Sequence, residues 1–344
     1  MPYTVKSTEK TRKSCSDSET KALLYLMNLR SDSNEVHYFI VDFFNDLTGM
    51  DAISEKLWDV QSKASKTNSA KTIGRELVTL FKNYMCDFKF VDFILFIGGV
   101  SDSFRINNNL NSFGIENVTP KALKSVKEGL KEETKDKSYI KNKDVTFNNI
   151  DSFLNNVKFV VDDKKPSEYV KAIIKNHPKL IPEERVLDAI FNEIRDKQSS
   201  KKNTHNIEGI VIETQDEALN YFRHLTVSEI RLLVLQRLIN NDPINQSIPF
   251  SFLCIINTCP PERQKDFIQE CKMDLTRALF NKNSADAFWA LLEEIYNIII
   301  NNPNLNVEQI FNSISKGIKK NAKDFNALSL KYFIALVKDG IEQW

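Results

Sequence analysis

Residues 36–64 read VHYFIVDFFNDLTGMDAISEKLWDVQSKA, and the division of this stretch into elements decides the fold. Two apolar runs flank LTGMD, where Gly49 and Asp51 bring turn chemistry. The first run ends in acids, Asp42 and Asp46. In the second, strand alternation sets Leu57, Asp59, Gln61 and Lys63 on one face and Trp58, Val60, Ser62 and Ala64 on the other. An acid, an amide and an ammonium in a row suit a metal-and-water site better than a solvent-facing decoration. The plain alternative is a solvated strand face with a chance charge pattern.

Working outward, residues 1–17 are rich in Lys, Ser and Thr, which predicts a flexible N-terminus. From Ser18 a helical stripe of Ala22, Leu23, Leu26 and Leu29 begins. Glu19 falls in its first turn, either as a favourable charge at the helix N-terminus or as an auxiliary acid reaching the site. Past the two strands, Ile73, Leu77, Leu80, Phe81 and Tyr84 predict a helix over 69–85. FKFVDFILFI (88–97) is almost continuously apolar, as a mid-sheet strand covered on both faces would be. Helix, strand, strand, helix, strand make an α/β core over 18–100.

Beyond Val100 the chain turns Asn-rich, then enters a basic helix over 120–134 and further helical segments, with a short strand predicted near 156–163. The polar run DKQSSKKNTHN (196–206) lacks periodicity and reads as a linker. From Glu213 onward the pattern is nearly all helix, with Thr226-x-x-Glu229 as a capping box. The expected organisation is a domain over 18–200 and an all-α domain over 207–344.

Asp46, Gln61 and Lys63 form the favoured chemical constellation, with Asp42 and Asp59 as reserve acids. Hydrolysis of a phosphodiester at Mg²⁺ requires hard oxygen ligands. It also requires a group that orients water, and positive charge where the phosphoryl oxygens gain negative charge. Asp46 offers a carboxylate, Gln61 an amide oxygen, Ser62 a backbone carbonyl and Lys63 the ammonium. Asp42 competes with Asp46 as the acidic ligand.

An acid followed about fifteen residues later by Gln-x-Lys on a strand resembles the Mrr-like branch of the PD-(D/E)xK restriction-endonuclease superfamily, in which Gln replaces the usual acid of the E-x-K element. More narrowly, the N-terminal helix, DFFNDL and WDVQSK look like the DNA endonuclease domain of CD-NTase-associated antiphage effectors, related domains of which serve Lamassu-type systems. The resemblance spans about residues 15 to 200. It implies Asp46, Gln61 and Lys63 as catalytic residues, Asp46, Gln61 and Ser62 around Mg²⁺ or Mn²⁺, and double-stranded DNA as substrate. It further implies activation by a partner, such as an SMC-like ATPase or a sensor, by a ligand or by oligomerisation. Where that family carries a Glu followed by Gly-rich residues, this chain has Glu19 followed by Thr20, Lys21 and Ala22.

Composition limits the alternatives. A formal net charge of +1 gives no global basic field, although Lys121, Lys124, Lys127, Lys131 and Lys135 gather on one segment. The five cysteines form no C-x-x-C pair, so reduced thiols in a cytoplasmic protein are expected. The four histidines share no spacing, and IGGVSD lacks the rest of a P-loop. No secretory signal and no membrane span are expected.

Overall fold

The computed structural model of the protein describes residues 2–5, 15–175, 177–202, 206–245 and 247–341. The chain divides into two compact units, one of residues 1–169 and 191–227 and one of residues 170–190 and 228–344.

The first unit is a mixed seven-stranded sheet flanked by helices. Its elements begin with β1 (Tyr3–Thr4), α1 (Asp17–Asn28), β2 (Val36–Val41), β3 (Leu47–Asp51) and β4 (Leu57–Lys63). α2 (Ala70–Glu76), α3 (Val78–Tyr84), β5 (Phe90–Ile97), β6 (Ser112–Phe113), α4 (Pro120–Asp136), α5 (Phe147–Leu154) and β7 (Val157–Val161) follow. α6 (Pro166–Lys171) and α7 (Glu184–Lys202) span the unit boundaries, and β8 (Val211–Ile212) and β9 (His224–Thr226) return to the first unit. The strand order is β6-β7-β5-β4-β3-β2-β9, with β4-β5 and β5-β7 parallel, while a separate two-stranded sheet pairs β1 with β8.

The apolar run of β5 lies between β4 and β7, as its composition predicts for a strand covered on both faces. Phe93, Leu95 and Ile97 of β5 bury against Leu77, Leu80, Phe81, Phe153 and Phe159. Full burial of each such side chain contributes roughly 1.5–3 kcal/mol. The opposite face of β4 meets α1: Ser18 and Ser62 hydroxyls lie 2.7 Å apart, and Gly49 of β3 leaves room for Leu26.

Four expectations are corrected. LTGMD is not the turn but β3 itself, the middle strand of a β2-β3-β4 antiparallel meander. Its Gly49 serves the close approach of α1. The turns lie on either side, at 42–46 and 52–56, the latter closed by Asp51 Oδ1 accepting from the N–H groups of Glu55 and Lys56 (2.7 and 2.9 Å). Asp42 and Asp46 therefore share no strand. Asp42 ends the first arm in the left-handed region at φ 52°, and its N–H donates to the Asp46 carbonyl (3.1 Å) across the loop.

Within the N-terminal 17 residues expected to be flexible, Tyr3–Thr4 forms a strand and Ser16 caps α1 in a capping box with Glu19; residues 6–14 lie outside the described residues. Residues 196–202 are not linker but the last two turns of α7, docked on α1 through Gln198, which accepts from Thr20 (2.9 Å), and on the residue before its cap through Ser199, which accepts from the Cys15 N–H (2.8 Å). Positions 203–205 of that run lie outside the described residues. The stretch after 207 is not all helix: β8 and β9 pair with strands from the start of the chain, which tertiary hydrogen bonds alone supply.

The second unit is helical. It contains α8 (Val227–Ile239, from Ser228), α9 (Leu253–Ile256), α10 (Gln264–Phe280), α11 (Ala285–Asn301), α12 (Val307–Ser313), α13 (Lys316–Asn321) and α14 (Ala327–Ile341). Trp289, Phe288 and Leu292 of α11 are buried, as their helical spacing predicts for core. Among the described residues no helix is long and apolar enough to cross a membrane.

Candidate active site

The β2–β3 loop carries Asp46 to the end of β4. Its Oδ2 accepts from Gln61 Nε2 at 2.7 Å and from the Ser62 N–H at 2.8 Å. Antiparallel pairing of Leu47 with Val60 sets this register, so that Asp46 falls opposite Gln61. Gln61 and Ser62 are each only 7% exposed.

Lys63, last residue of β4, reaches the opposite direction from Ser62 by strand alternation and pairs with Glu76 of α2 at 2.9 Å. These groups line a cavity of about 640 Å³ together with Glu19, Asp42, Arg75, Glu133, Lys137 and Lys202.

The expected residues thus fall in two places. Glu19, Asp42, Asp46, Gln61, Ser62 and Lys63 all line the cavity. Asp59 does not. It is fully buried on the α3 side, where Asn83 Nδ2 donates to it at 2.7 Å, and Asn83 Oδ1 accepts in turn from the Tyr3 hydroxyl at 2.8 Å. Asp59 therefore anchors β4 to α3 and β1, and burial pushes its carboxyl up to about 7.

Lys202 is a site residue that sequence reasoning missed. Its side chain is 5% exposed and its ammonium sits 3.0 Å from the Glu19 carboxylate. It lay in a run read as linker, and a polar stretch gives no signal that one of its lysines is buried. Arg223, before β9, was likewise missed; its guanidinium donates to the Asp42 carbonyl at 3.0 Å and lies 3.5 Å from the carboxylate.

Electrostatics divide the acids. Glu19 is held by Lys202 and by the capping-box N–H of Ser16 (3.3 Å). Asp46 is pushed up to about 7, chiefly by burial. The Ser62 N–H opposes that shift, Glu19 reinforces it, and Lys63 and Lys202 counter it. Asp42 rises to about 6, again through burial, against the pull of Lys202 and Arg223. One side of Asp46 opens on the cavity, so water tempers the burial effect.

Among the described residues no three His, Cys, Asp or Glu side chains gather in a metal-holding group. A divalent ion would instead rest on one carboxylate and neutral oxygens. The donor chemistry suits Mg²⁺ or Mn²⁺: the Asp46 carboxylate, the amide oxygen of Gln61 and the Ser62 carbonyl, which the pleat directs to the same strand edge as its N–H. A carboxyl whose proton is held up to about pH 7 is also one from which a cation would displace that proton.

Comparison with known proteins finds no family model, no curated protein and no solved structure that matches this chain.

Proposed function

We propose that the first unit is a metal-dependent endonuclease that hydrolyses double-stranded DNA with little sequence preference, the effector of an antiphage defence system. The observation that carries this reading is the convergence of Asp46 on Gln61 and Ser62 at the wall of a cavity that also holds Lys63. The resemblance of the D…QxK pattern to restriction-endonuclease-like effectors supports it. Mg²⁺ or Mn²⁺, held by Asp46, Gln61 and the Ser62 carbonyl, would supply Lewis acidity toward the phosphoryl group and lower the pKa of water.

The chain's own residues do the rest. Lys63 exchanges Glu76 for the incoming phosphate, placing positive charge where the phosphoryl oxygens become more negative and orienting the attacking water. The Ser62 N–H and the Gln61 amide fix the Asp46 carboxylate, so that it need not reorganise during the reaction. Lys202 holds Glu19 at the cavity wall and offsets part of its charge toward Asp46. The helical second unit is the part through which a partner subunit, a ligand or oligomerisation would release the activity.

The test is plasmid cleavage with Mg²⁺ or Mn²⁺ in the presence of the activating partner or at high protein concentration. Lys63→Ala and Asp46→Ala should each lose nicking and cutting by at least 100-fold. Equal cleavage by wild type and Lys63→Ala would remove the assignment.

A second reading is favoured by the ion pairs themselves. Lys63 with Glu76 and Lys202 with Glu19 satisfy one another without any ligand, as a catalytically silent interaction subunit docking an ATPase or sensor would require. That reading predicts no Asp46-dependent stabilisation by Mn²⁺.

A further inference from the structure

α4 presents four lysines that the site does not use. At 100° per residue, Lys121, Lys124, Lys131 and Lys135 fall within an arc of about 80°, and all four are exposed. They extend over about 21 Å at 1.5 Å per residue. Two of the four acids of the same helix are engaged elsewhere: Glu132 is bound by Lys71 (2.7 Å) and Arg75 (3.1 Å), and Glu133 by Lys137 (3.0 Å), while Asp136 lies off the arc. Glu128 is the one acid within the arc. Lys127, about 40° beyond its edge, pairs with Asp151 at 2.7 Å.

The opposite face of α4 is anchored. Ala122, Val126 and Leu130 enter the core beneath β5. Two glycines allow α2 and α4 to cross at backbone contact. A Cβ on Gly74 would lie 2.1 Å from the Val126 carbonyl oxygen, and one on Gly129 2.1 Å from that of Lys71.

That crossing sets α4 beside the cavity wall. α2 contributes Thr72, Arg75 and Glu76 to the cavity wall, and the C-terminal end of α4 contributes Glu133 and, just beyond, Lys137. Glu76 is the residue that holds Lys63. Beside the stripe, Phe147 is 72% exposed with the Lys131 ammonium 4.5 Å from its ring centre, a large apolar surface next to cations.

We propose that the exposed face of α4 is a track for the phosphate backbone of duplex DNA. Phosphates recur every 3.4 Å of helix axis along one strand, so 21 Å of lysines covers about six base pairs. Phe147 then meets deoxyribose rather than phosphate. Such contacts hold the duplex through its backbone, without base contacts. This rests on the endonuclease reading for what the track serves, but binding is separable from cutting.

The experiment titrates a fluorescent 30-bp duplex with full-length protein in EDTA, by anisotropy, across 50–200 mM salt. Replacing Lys121, Lys124, Lys131 and Lys135 together by Gln should lower the slope of log affinity against log salt by about 3.6, at 0.9 per phosphate contact. Affinity at 100 mM salt should fall at least 100-fold. A charge-matched variant replacing Lys265, Lys316, Lys320 and Lys323 by Gln, all exposed, should bind within threefold of wild type. The inference is overturned if the α4 variant binds as wild type does, if both variants weaken alike, or if wild type binds duplex RNA but not duplex DNA. Plasmid cleavage runs alongside. Wild-type binding lost in the α4 variant, with no Asp46-dependent cleavage, would uphold the track and sink the nuclease. Asp46-dependent cleavage with unchanged binding would do the reverse.

Discussion

Replacing Asp46 by Asn removes one charge while keeping the shape and an oxygen that accepts from the Ser62 N–H. The wild-type carboxyl titrates near its ordinary 3.8 when unfolded and at about 7 when folded. Between those values the folded state binds the proton more tightly, so Asp46 favours folding at low pH, and that advantage is lost as pH rises toward 7. A difference of about three pH units corresponds to roughly 4 kcal/mol at 1.36 kcal/mol each. The cavity admits water to one side of the group, which reduces the expected effect to about 2–4 kcal/mol.

Urea unfolding at pH 4, 6 and 8 should therefore show the advantage of Asp46→Asn over wild type growing by that much from pH 4 to pH 8. Asp42, pushed up to about 6, titrates in both proteins and largely cancels in the difference. Mn²⁺ supplies the second arm. At 100 times its dissociation constant an ion bound only to the folded state stabilises by about 2.7 kcal/mol, so at pH 8 wild type should gain about that much and Asp46→Asn should gain nothing. A difference independent of pH would refute the buried-carboxyl account. A flat Mn²⁺ response in wild type would refute the metal site and leave the silent-subunit reading.

Three further outcomes follow from particular contacts. Gly129→Ala sets a Cβ against the Lys71 carbonyl and should destabilise by about 1–3 kcal/mol in urea; because it also shifts α4 against α2, cleavage should fall more than the loss of folded protein explains. Lys202→Met leaves the Glu19 carboxylate, 13% exposed, without its cation, at a cost of about 3 kcal/mol. Glu19→Gln in the same chain should restore most of the melting temperature, which the single change to Glu19 would not predict. Asp59→Asn, in the fully buried network of Asn83 and Tyr3, should reduce the pH dependence of stability between 4 and 7, leaving the part due to Asp42 and Asp46, without changing the Mn²⁺ response, since that group lies away from the cavity wall.

Local patterns alone determined much of this protein. The alternation in LWDVQSK placed Asp59, Gln61 and Lys63 on one face, the unbroken apolar run at 88–97 marked an interior strand, and the periodicity of 120–134 gave a basic helix. These signals are legible because side-chain direction follows from a period of two or 3.6 wherever a strand or helix forms. Long-range pairing carries no such local mark. LTGMD has the composition of a turn and becomes a strand because β2 and β4 lie on either side of it and α1 needs the space at Gly49. The same pairing decided between Asp42 and Asp46: only the register of β3 on β4 brings one of them onto Gln61. The burial of Lys202, the return of β8 and β9 to strands at the start of the chain, and the clash-tight crossing at Gly74 and Gly129 are likewise tertiary facts. Each depends on which distant backbone or charge arrives beside it, and no neighbouring residue encodes that.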